Sequence, residues 1–194
     1  MPAPALSQMR QDDADLRSVV AQTTQSLNHL GTALVFAQEY AQAREILDQT
    51  VAMAQHSGLR RLEAAALTMI GQMTLNCGRY DDAVQIYTRS IDVAGESYKP
   101  GMWGKYAGRG WASVRMGECA AARQDFTLGF QVAEQVNSQY GTLLMQTYLT
   151  FVDLAQGRMP AMSASSRDIF GCSKNRQNRI VENSTYPLDD FGFR

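Results

Sequence analysis

The stretch LTMIGQMTLNCGRYDDAVQIYTRSIDVA, residues 67–94, decides the fold of this chain. Each half of it repeats apolar residues at intervals of three and four, which is the pattern of an amphipathic helix. Between the halves, Gly78 suits the left-handed conformation that ends a helix. Asp81 and Asp82 follow in the first turn of the second helix, where carboxylates interact favourably with the helix dipole. The stretch predicts two helices joined by a tight turn, and such a hairpin needs neighbours to bury its apolar faces.

The composition bounds the class of protein. The chain has 194 residues, of which 45% are hydrophobic and 19% charged, as is typical of an ordered globular chain. Its formal net charge of -1 gives no overall attraction to nucleic acid or to an anionic membrane surface. We expect no membrane span and no signal peptide, because no apolar run is long enough and the N-terminus lacks a basic start. The sequence therefore predicts a cytoplasmic protein.

The reactive residue types are few and scattered. Cys77, Cys119 and Cys172 form no CxxC pair, so we expect reduced thiols, with Cys77 and Cys119 buried near turns. His29 and His56 lie on different predicted helices and have no evident nucleophile or carboxylate beside them. We therefore expect no catalytic residues, no metal site and no cofactor, and we predict that the protein is not an enzyme.

The chain repeats itself with a period of 39 or 40 residues. A small residue on the first helix of each unit and a set of landmarks on the second helix recur at the same positions. In chain order these are Gly31, Gly71 and Gly110; Tyr40, Tyr80 and Cys119; Ala43, Ala83 and Ala122; Leu47, Tyr87 and Phe126; and Ala54, Ala94 and Ala133. Glycines at 78, 117 and 157 mark the turns. We expect the glycine to let the facing helix approach and the large apolar residue to fill the space.

These landmarks divide the chain into three regions. Residues 1–13 have little periodicity and are predicted to be a flexible leader. Residues 14–171 form the repeat domain, with units at about 24–58, 62–98, 102–137 and 140–171. The second helix of the fourth unit is weakened by Ser163, Ser165 and Ser166, so we expect it to be short or frayed. Residues 172–194 lose the periodicity and are predicted to be a flexible tail.

The segments GRYDDAVQIYTRSIDVA (78–94) and GECAAARQDFTLGFQVA (117–133) resemble the tetratricopeptide repeat. The resemblance covers residues 24–159 and implies an all-α solenoid of helix-turn-helix units, here three complete units and a partial fourth. The period is similar to the longer-repeat variety in bacterial signalling ATPases and LuxR- or MalT-type regulators, where a stretch like RGWA at residues 109–112 is often seen. No phosphate-binding loop or DNA-reading module is present in this sequence.

The resemblance also implies a binding surface, because the first helices of such repeats line a concave groove. Helical spacing places polar and aromatic residues there: Asn28, Thr32, Phe36, Thr68, Gln72, Asn76, Ala107, Trp111, Arg115 and Phe151. The amides would hydrogen-bond to a partner backbone, and the aromatic rings would anchor apolar side chains. Alternatively, Phe36, Trp111 and Phe151 pack in the core or against one another, and Arg115 is simply solvated.

Alternatives remain open for one residue, Arg109, and for the tail. Arg109 occupies the position of Leu30 and Ile70, so it either extends its head into solvent or pairs with Asp125 or Glu118. The tail either folds back over the fourth unit or inserts Phe191 and Phe193 into the groove.

We predict a protein-interaction scaffold that binds a peptide or helix of a partner in the groove and contacts neither nucleic acid nor membrane. Two alternatives are a sensor or assembly arm of a larger bacterial signalling or transcriptional regulator, and a structural assembler that forms homo-oligomers through its terminal repeat.

Overall fold

The computed structural model describes residues 3–95 and 99–157. Over these residues the chain forms seven α-helices and no strand. The helices are α1 (Ala3–Phe36), α2 (Tyr40–His56), α3 (Arg60–Asn76), α4 (Tyr80–Ala94), α5 (Met102–Arg115), α6 (Cys119–Gln135) and α7 (Gln139–Ala155).

The helices form two layers. Each helix packs against the next in the chain, and in addition α1 contacts α3, α3 contacts α5 and α5 contacts α7. We call α1, α3, α5 and α7 the inner helices and α2, α4 and α6 the outer helices. Each outer helix begins at the landmark position predicted from the sequence, at Tyr40, Tyr80 and Cys119. The predicted all-α repeat solenoid is confirmed.

At the repeated glycines, a large side chain of the outer helix packs directly against the backbone of the inner helix. A Cβ atom added at Gly31 would lie 2.6 Å from a methyl group of Leu47, and one added at Gly110 would lie 2.5 Å from the Phe126 ring. At Gly71 the corresponding distance to the Tyr87 ring is 3.1 Å. The three large residues are essentially inaccessible to solvent, as are the alanines at 43, 83 and 122. The predicted fit of bulk against glycine is therefore confirmed.

The turns that end α3, α5 and α7 share one geometry. The glycines at 78, 117 and 157 have positive φ values of 75°, 81° and 67°, and each N–H donates to a carbonyl three residues earlier. Glycine favours this left-handed conformation because it carries no Cβ. In the first unit Gln38 takes the same role with φ of 61°. The turn after α7 thus matches those that start the outer helices of the second and third units.

The N-terminal region differs from the sequence prediction, because α1 begins at Ala3 instead of near Ala14. Residues 3–13 are helical, so α1 extends through the stretch predicted to be a flexible leader. Alanine, leucine, glutamine, methionine and arginine dominate this stretch and favour helix by intrinsic propensity, while Pro4 lies in the first turn, where proline is tolerated. With 34 residues, α1 is twice as long as α2, and Leu16 and Val19 on its first half are more than half exposed.

The second helix predicted for the fourth unit and the predicted tail lie outside the described residues. Within the described part of the chain, no helix is both long and apolar enough to cross a membrane.

Candidate functional site

The inner helices present two rows of side chains at equivalent positions four residues apart, and we call the surface formed by these two rows the inner face. The first row is half-buried, and the second row, one helical turn further on, is more exposed. The first row consists of Thr32, Gln72, Trp111 and Phe151, and the second of Phe36, Asn76 and Arg115. Phe36 stands out in the second row because 54% of its surface is exposed. These seven predicted site residues share one face.

The part of the inner face formed by α3 carries ordered amides. Gln72 Nε2 donates to Asn76 Oδ1 at 2.9 Å, and Asn76 Nδ2 donates to the hydroxyl of Tyr40 at 3.4 Å. The hydroxyl of Tyr87 donates to Gln72 Oε1 at 3.4 Å. Tyr87 is buried, and this burial raises the pKa of its hydroxyl, so it remains a donor. The two amides are thereby held in place before any partner arrives.

The part formed by α5 and α7 is aromatic. The ring of Trp111 lies 5.0 Å from that of Tyr148 and 5.3 Å from that of Phe151, and it meets Phe126 edge-on at 6.2 Å. Phe126 is completely buried, whereas the other three rings are half-buried. Trp111 and Phe151 therefore pack against one another, as the structural alternative predicted, and each also keeps part of its ring at the surface. Phe36 is far more exposed than either.

The two arginines of α5 have different surroundings. The guanidinium of Arg115 lies over the ring of Tyr80, 5.1 Å from its centre, which is a cation–π arrangement. Arg109 makes a bidentate ion pair with the buried carboxylate of Asp125, with Nη2 to Oδ1 at 2.6 Å and Nε to Oδ2 at 3.0 Å. This hydrogen bonding raises the pKa of Arg109 above its ordinary value. Of the two predicted alternatives for Arg109, pairing with Asp125 is the one observed.

Two of the predicted groove residues, Ala107 and Thr68, contact neighbouring helices. Ala107 is 6% exposed and packs in the core with Phe126, so the prediction that it lines the groove is wrong. Its position points toward the junction with the adjacent repeat. At the equivalent position in α3, the hydroxyl of Thr68 lies 2.9 Å from that of Ser90 on α4. In α1 the equivalent residue is Asn28, which is half-buried.

Sequence reasoning missed Lys105. This residue is 6% exposed and occupies the position that Ala66 takes in α3 and Met145 in α7. It makes no hydrogen bond or ion pair with the described residues, and desolvation lowers the pKa of its ammonium group to about 8. Aligning the repeat positions would have revealed it, because a lysine stands where the other complete units have small or apolar residues.

The remaining reactive residues do not converge. Across residues 3–95 and 99–157, no group of three or more histidine, cysteine, aspartate or glutamate side chains is arranged to hold a metal ion. His29 and His56 are exposed on α1 and α2. Cys77 is also exposed, so its predicted burial is wrong, because it follows the last turn of α3 and projects from the loop. What the inner face offers is therefore hydrogen bonding, apolar contact and positive charge.

Comparison with known proteins is consistent with this geometry. Residues 22–97, which include α2, α3 and α4, match the family model described as tetratricopeptide repeat. Neither the curated proteins nor the solved structures include a match to the chain.

Proposed function

Because this chain is a tetratricopeptide repeat protein, we propose that it is a protein-interaction scaffold whose inner face binds a peptide or a helix of a partner protein. The repeats of this family mediate protein–protein interaction in general. The specific proposal is that the partner lies across α3, α5 and α7, with its backbone on the amides and its apolar side chains on the aromatic rings. We propose that this happens in the cytoplasm and involves neither nucleic acid nor membrane.

The observation that carries the proposal is the amide pair of Gln72 and Asn76. Both side chains are held by tyrosine hydroxyls, and the exposed Asn76 adds nothing to the core. An ordered amide loses little conformational entropy when it binds, so pre-organisation of this kind raises affinity. Beside it, the half-exposed rings of Trp111 and Phe151 offer the apolar contact that anchors peptide side chains.

Affinity capture from a cell extract, quantified by mass spectrometry, tests this proposal. The bait is the full chain, either unchanged or carrying Gln72→Ala and Asn76→Ala. We prefer these substitutions to Trp111→Ala, because Trp111 also packs against buried Phe126 and its loss would perturb the core. A partner of the inner face should fall at least about tenfold in yield, the effect of losing about 1.4 kcal/mol of binding free energy.

The matched control removes two amides from the outer layer, with Gln49→Ala on α2 and Gln131→Ala on α6. Both glutamines are exposed. The control should capture the partner as the unchanged chain does, and circular dichroism should give all three baits equal helicity. Equal loss in both variants, or loss only in the control, would move the binding surface away from the inner face.

A second candidate function is self-association through α7. Leu143 and Leu154 on this helix are 65% and 44% exposed, whereas Ala64 and Leu75, which occupy the equivalent positions in α3, are buried. A second copy of the chain would cover this apolar stripe and make the protein a structural assembler. Sedimentation equilibrium tests it: the mass should rise with concentration and return to the monomer value in Leu143→Ser, and a strict monomer would exclude it.

We also keep the alternative that the repeats are the sensor or assembly arm of a larger signalling regulator. The support is the exposed face of α1, where Leu30 is 48% exposed although Ile70, its equivalent in α3, is 3% exposed. In α3 that position is covered by the preceding outer helix. A preceding repeat in a longer polypeptide would cover Leu30 in the same way, and the sequence of the full-length transcript would reveal it.

A further inference from the structure

The charges of this protein are divided between its two layers. The helices α3, α5 and α7 contain five basic and two acidic residues. The outer helices α2, α4 and α6 contain three basic and seven acidic residues. The helices α3, α5 and α7 therefore carry a formal excess of positive charge and the outer helices an excess of negative charge, although the whole chain has a net charge of only -1. Such a division creates a local potential that the overall composition conceals.

Neither acidic residue of these inner helices neutralises the inner face. Glu63 accepts a hydrogen bond from Gln55 of α2 at 2.7 Å and lies 3.6 Å from a guanidinium nitrogen of Arg89 on α4. Asp153 forms an ion pair with Arg123 of α6. Both carboxylates are thus directed to outer helices. The inner face of α3, α5 and α7 carries no carboxylate of its own.

Positive charge and aromatic surface adjoin each other on α5. Arg115 follows Trp111 by four residues, which places the two side chains on one face of the helix. The guanidinium of Arg115 is held over Tyr80, and Trp111 continues the surface to Tyr148 and Phe151 on α7. This surface complements a segment that combines carboxylates with large apolar side chains.

The chain itself contains such a segment. Given that the inner face is a binding groove, as proposed above, we propose that residues 186–193, YPLDDFGF, occupy it as an intramolecular ligand that competes with the partner. The carboxylates of Asp189 and Asp190 pair with Arg115, and the rings of Phe191 and Phe193 contact the aromatic surface of Trp111 and its neighbours. Charge-assisted hydrogen bonds between arginine and carboxylate are among the stronger and more directional of protein contacts.

The length of chain beyond the described residues is sufficient for this contact. Gly157 follows the C-terminal end of α7, and Arg115 is the last residue of α5. Because the inner helices run in the same direction and α5 contacts α7, the two points lie at the same edge of the solenoid. Twenty-eight residues separate Gly157 from Tyr186. A chain of that length spans about 40 Å as a helix and about 90 Å fully extended, and both lengths exceed the helix spacing of about 10 Å.

Tethering makes a weak contact effective. A linker of this kind gives an effective concentration on the order of millimolar, so a segment with an intrinsic dissociation constant of about 0.1 mM would occupy the groove most of the time. A partner that binds the same surface would then bind about tenfold more weakly than to an open groove. A partner therefore displaces the segment only when it binds the groove with higher affinity or is present at a higher concentration.

Hydrogen–deuterium exchange of the full chain, followed by mass spectrometry, tests the proposal. Amides of residues 186–193 should exchange at least about threefold more slowly than in the same synthetic peptide free in solution. Asp189→Lys with Asp190→Lys should abolish the protection, and circular dichroism should show that this variant is as helical as the unchanged chain. Arg115→Glu should also abolish it, and the combined variant with both charges reversed should recover part of it.

The control is Arg44→Glu, which reverses an exposed charge on the outer helix α2 and should leave the protection unchanged. Absence of protection in the unchanged chain, or protection that survives both charge reversals, would overturn the proposal. If protection is absent while Gln72→Ala with Asn76→Ala still loses its captured partner, the groove binds in trans and only the intramolecular contact is wrong. If neither effect is seen, the inner face is not a binding surface.

Discussion

The second and third units fill one pair of equivalent packing positions with different chemistry. In the second unit the inner helix supplies Ile70, which is 3% exposed, and Ile86 of the outer helix packs against the same core cluster. In the third unit the equivalent positions hold Arg109 and Asp125, which form a bidentate ion pair. The backbone and the glycine at the helix crossing are otherwise alike. One helical scaffold therefore accepts either an apolar pair or a buried ion pair.

A buried charge on α5 is tolerated when a group of opposite charge lies beside it, and polarity alone does not decide the matter. Arg109 is satisfied by Asp125 and also donates from Nη1 to the hydroxyl of Thr88 at 3.1 Å. Lys105, one turn earlier on the same helix, is more deeply buried and has no such carboxylate. A buried charge without a partner costs folding free energy, whereas a paired charge approximately balances its desolvation. The two residues should respond to substitution in opposite directions.

Breaking the ion pair should have the largest effect. We expect Asp125→Ala to destabilise the fold by about 3 kcal/mol, because it leaves the half-buried guanidinium of Arg109 without its carboxylate. Urea unfolding followed by circular dichroism measures the change. The double variant Arg109→Ile with Asp125→Ile, which copies the second unit, should lie within about 1 kcal/mol of the unchanged chain. A double variant as unstable as Asp125→Ala would show that the pair is indispensable to the third unit.

Removing the unpaired charge should have the opposite sign. Lys105→Met introduces the residue that α7 has at this position, Met145, which is fully buried. We expect a gain on the order of 2 kcal/mol at pH 7, because the buried ammonium no longer has to be desolvated. The midpoint of thermal unfolding should rise by several degrees. Arg44→Met on the exposed surface of α2 is the matched control and should change little; a loss of stability in Lys105→Met would mean that the ammonium has a partner.

The pH dependence of the free energy of unfolding should also reveal the unpaired charge of Lys105. The pKa of Lys105 is lowered to about 8 in the folded chain from the ordinary value of 10.5. Between these values the unfolded chain binds more protons than the folded chain, so stability should rise with pH, by an amount on the order of 3 kcal/mol. Below about pH 8 the lysine is charged in both states and this contribution is constant. Unfolding curves from pH 7 to 10.5 should show the rise in the unchanged chain, and a rise of the same size in Lys105→Met would assign it to other groups.

The helix crossings should give the smallest difference between the two units. An added Cβ at Gly110 would overlap the Phe126 ring, whereas at Gly71 it would meet the Tyr87 ring at 3.1 Å. Alanine gains about 1 kcal/mol over glycine in helix propensity, and overpacking costs about 1–3 kcal/mol. We therefore expect Gly110→Ala to destabilise by about 1 kcal/mol and Gly71→Ala to be nearly neutral. Denaturant midpoints measure both, and the reverse order would mean that the third unit adjusts more easily.

Most of the fold could be predicted from the sequence because the residues that form each packing contact recur in several units. Gly71 with Tyr87, and Gly110 with Phe126, each specify one crossing, and their recurrence specifies the solenoid. The first half of α1 could not be predicted in this way. Its helix depends on intrinsic propensity, and the sequence shows no apolar period from residue 3 to residue 13.

The candidate site could be predicted only in part, because helical spacing gives the face of a residue and not its neighbours. Gln72, Asn76 and Phe36 share the predicted face. Ala107 does not line it although it precedes Trp111 by four residues, because it packs in the core with Phe126. The aromatic packing of Trp111 depends on Tyr148 and Phe151, about 40 positions away in the chain, and the spacing within one helix gives no information about them.

The most direct test of the account places a photo-crosslinking amino acid at one of two exposed positions of the full chain, Asn76 on the inner face or Gln131 on outer helix α6. Irradiation in cells followed by mass spectrometry then identifies what lies against each surface. We predict a specific partner crosslinked from position 76 and absent from position 131. The same partner crosslinked from position 131 and not from position 76 would contradict the claim that the inner face of the repeats is the working surface.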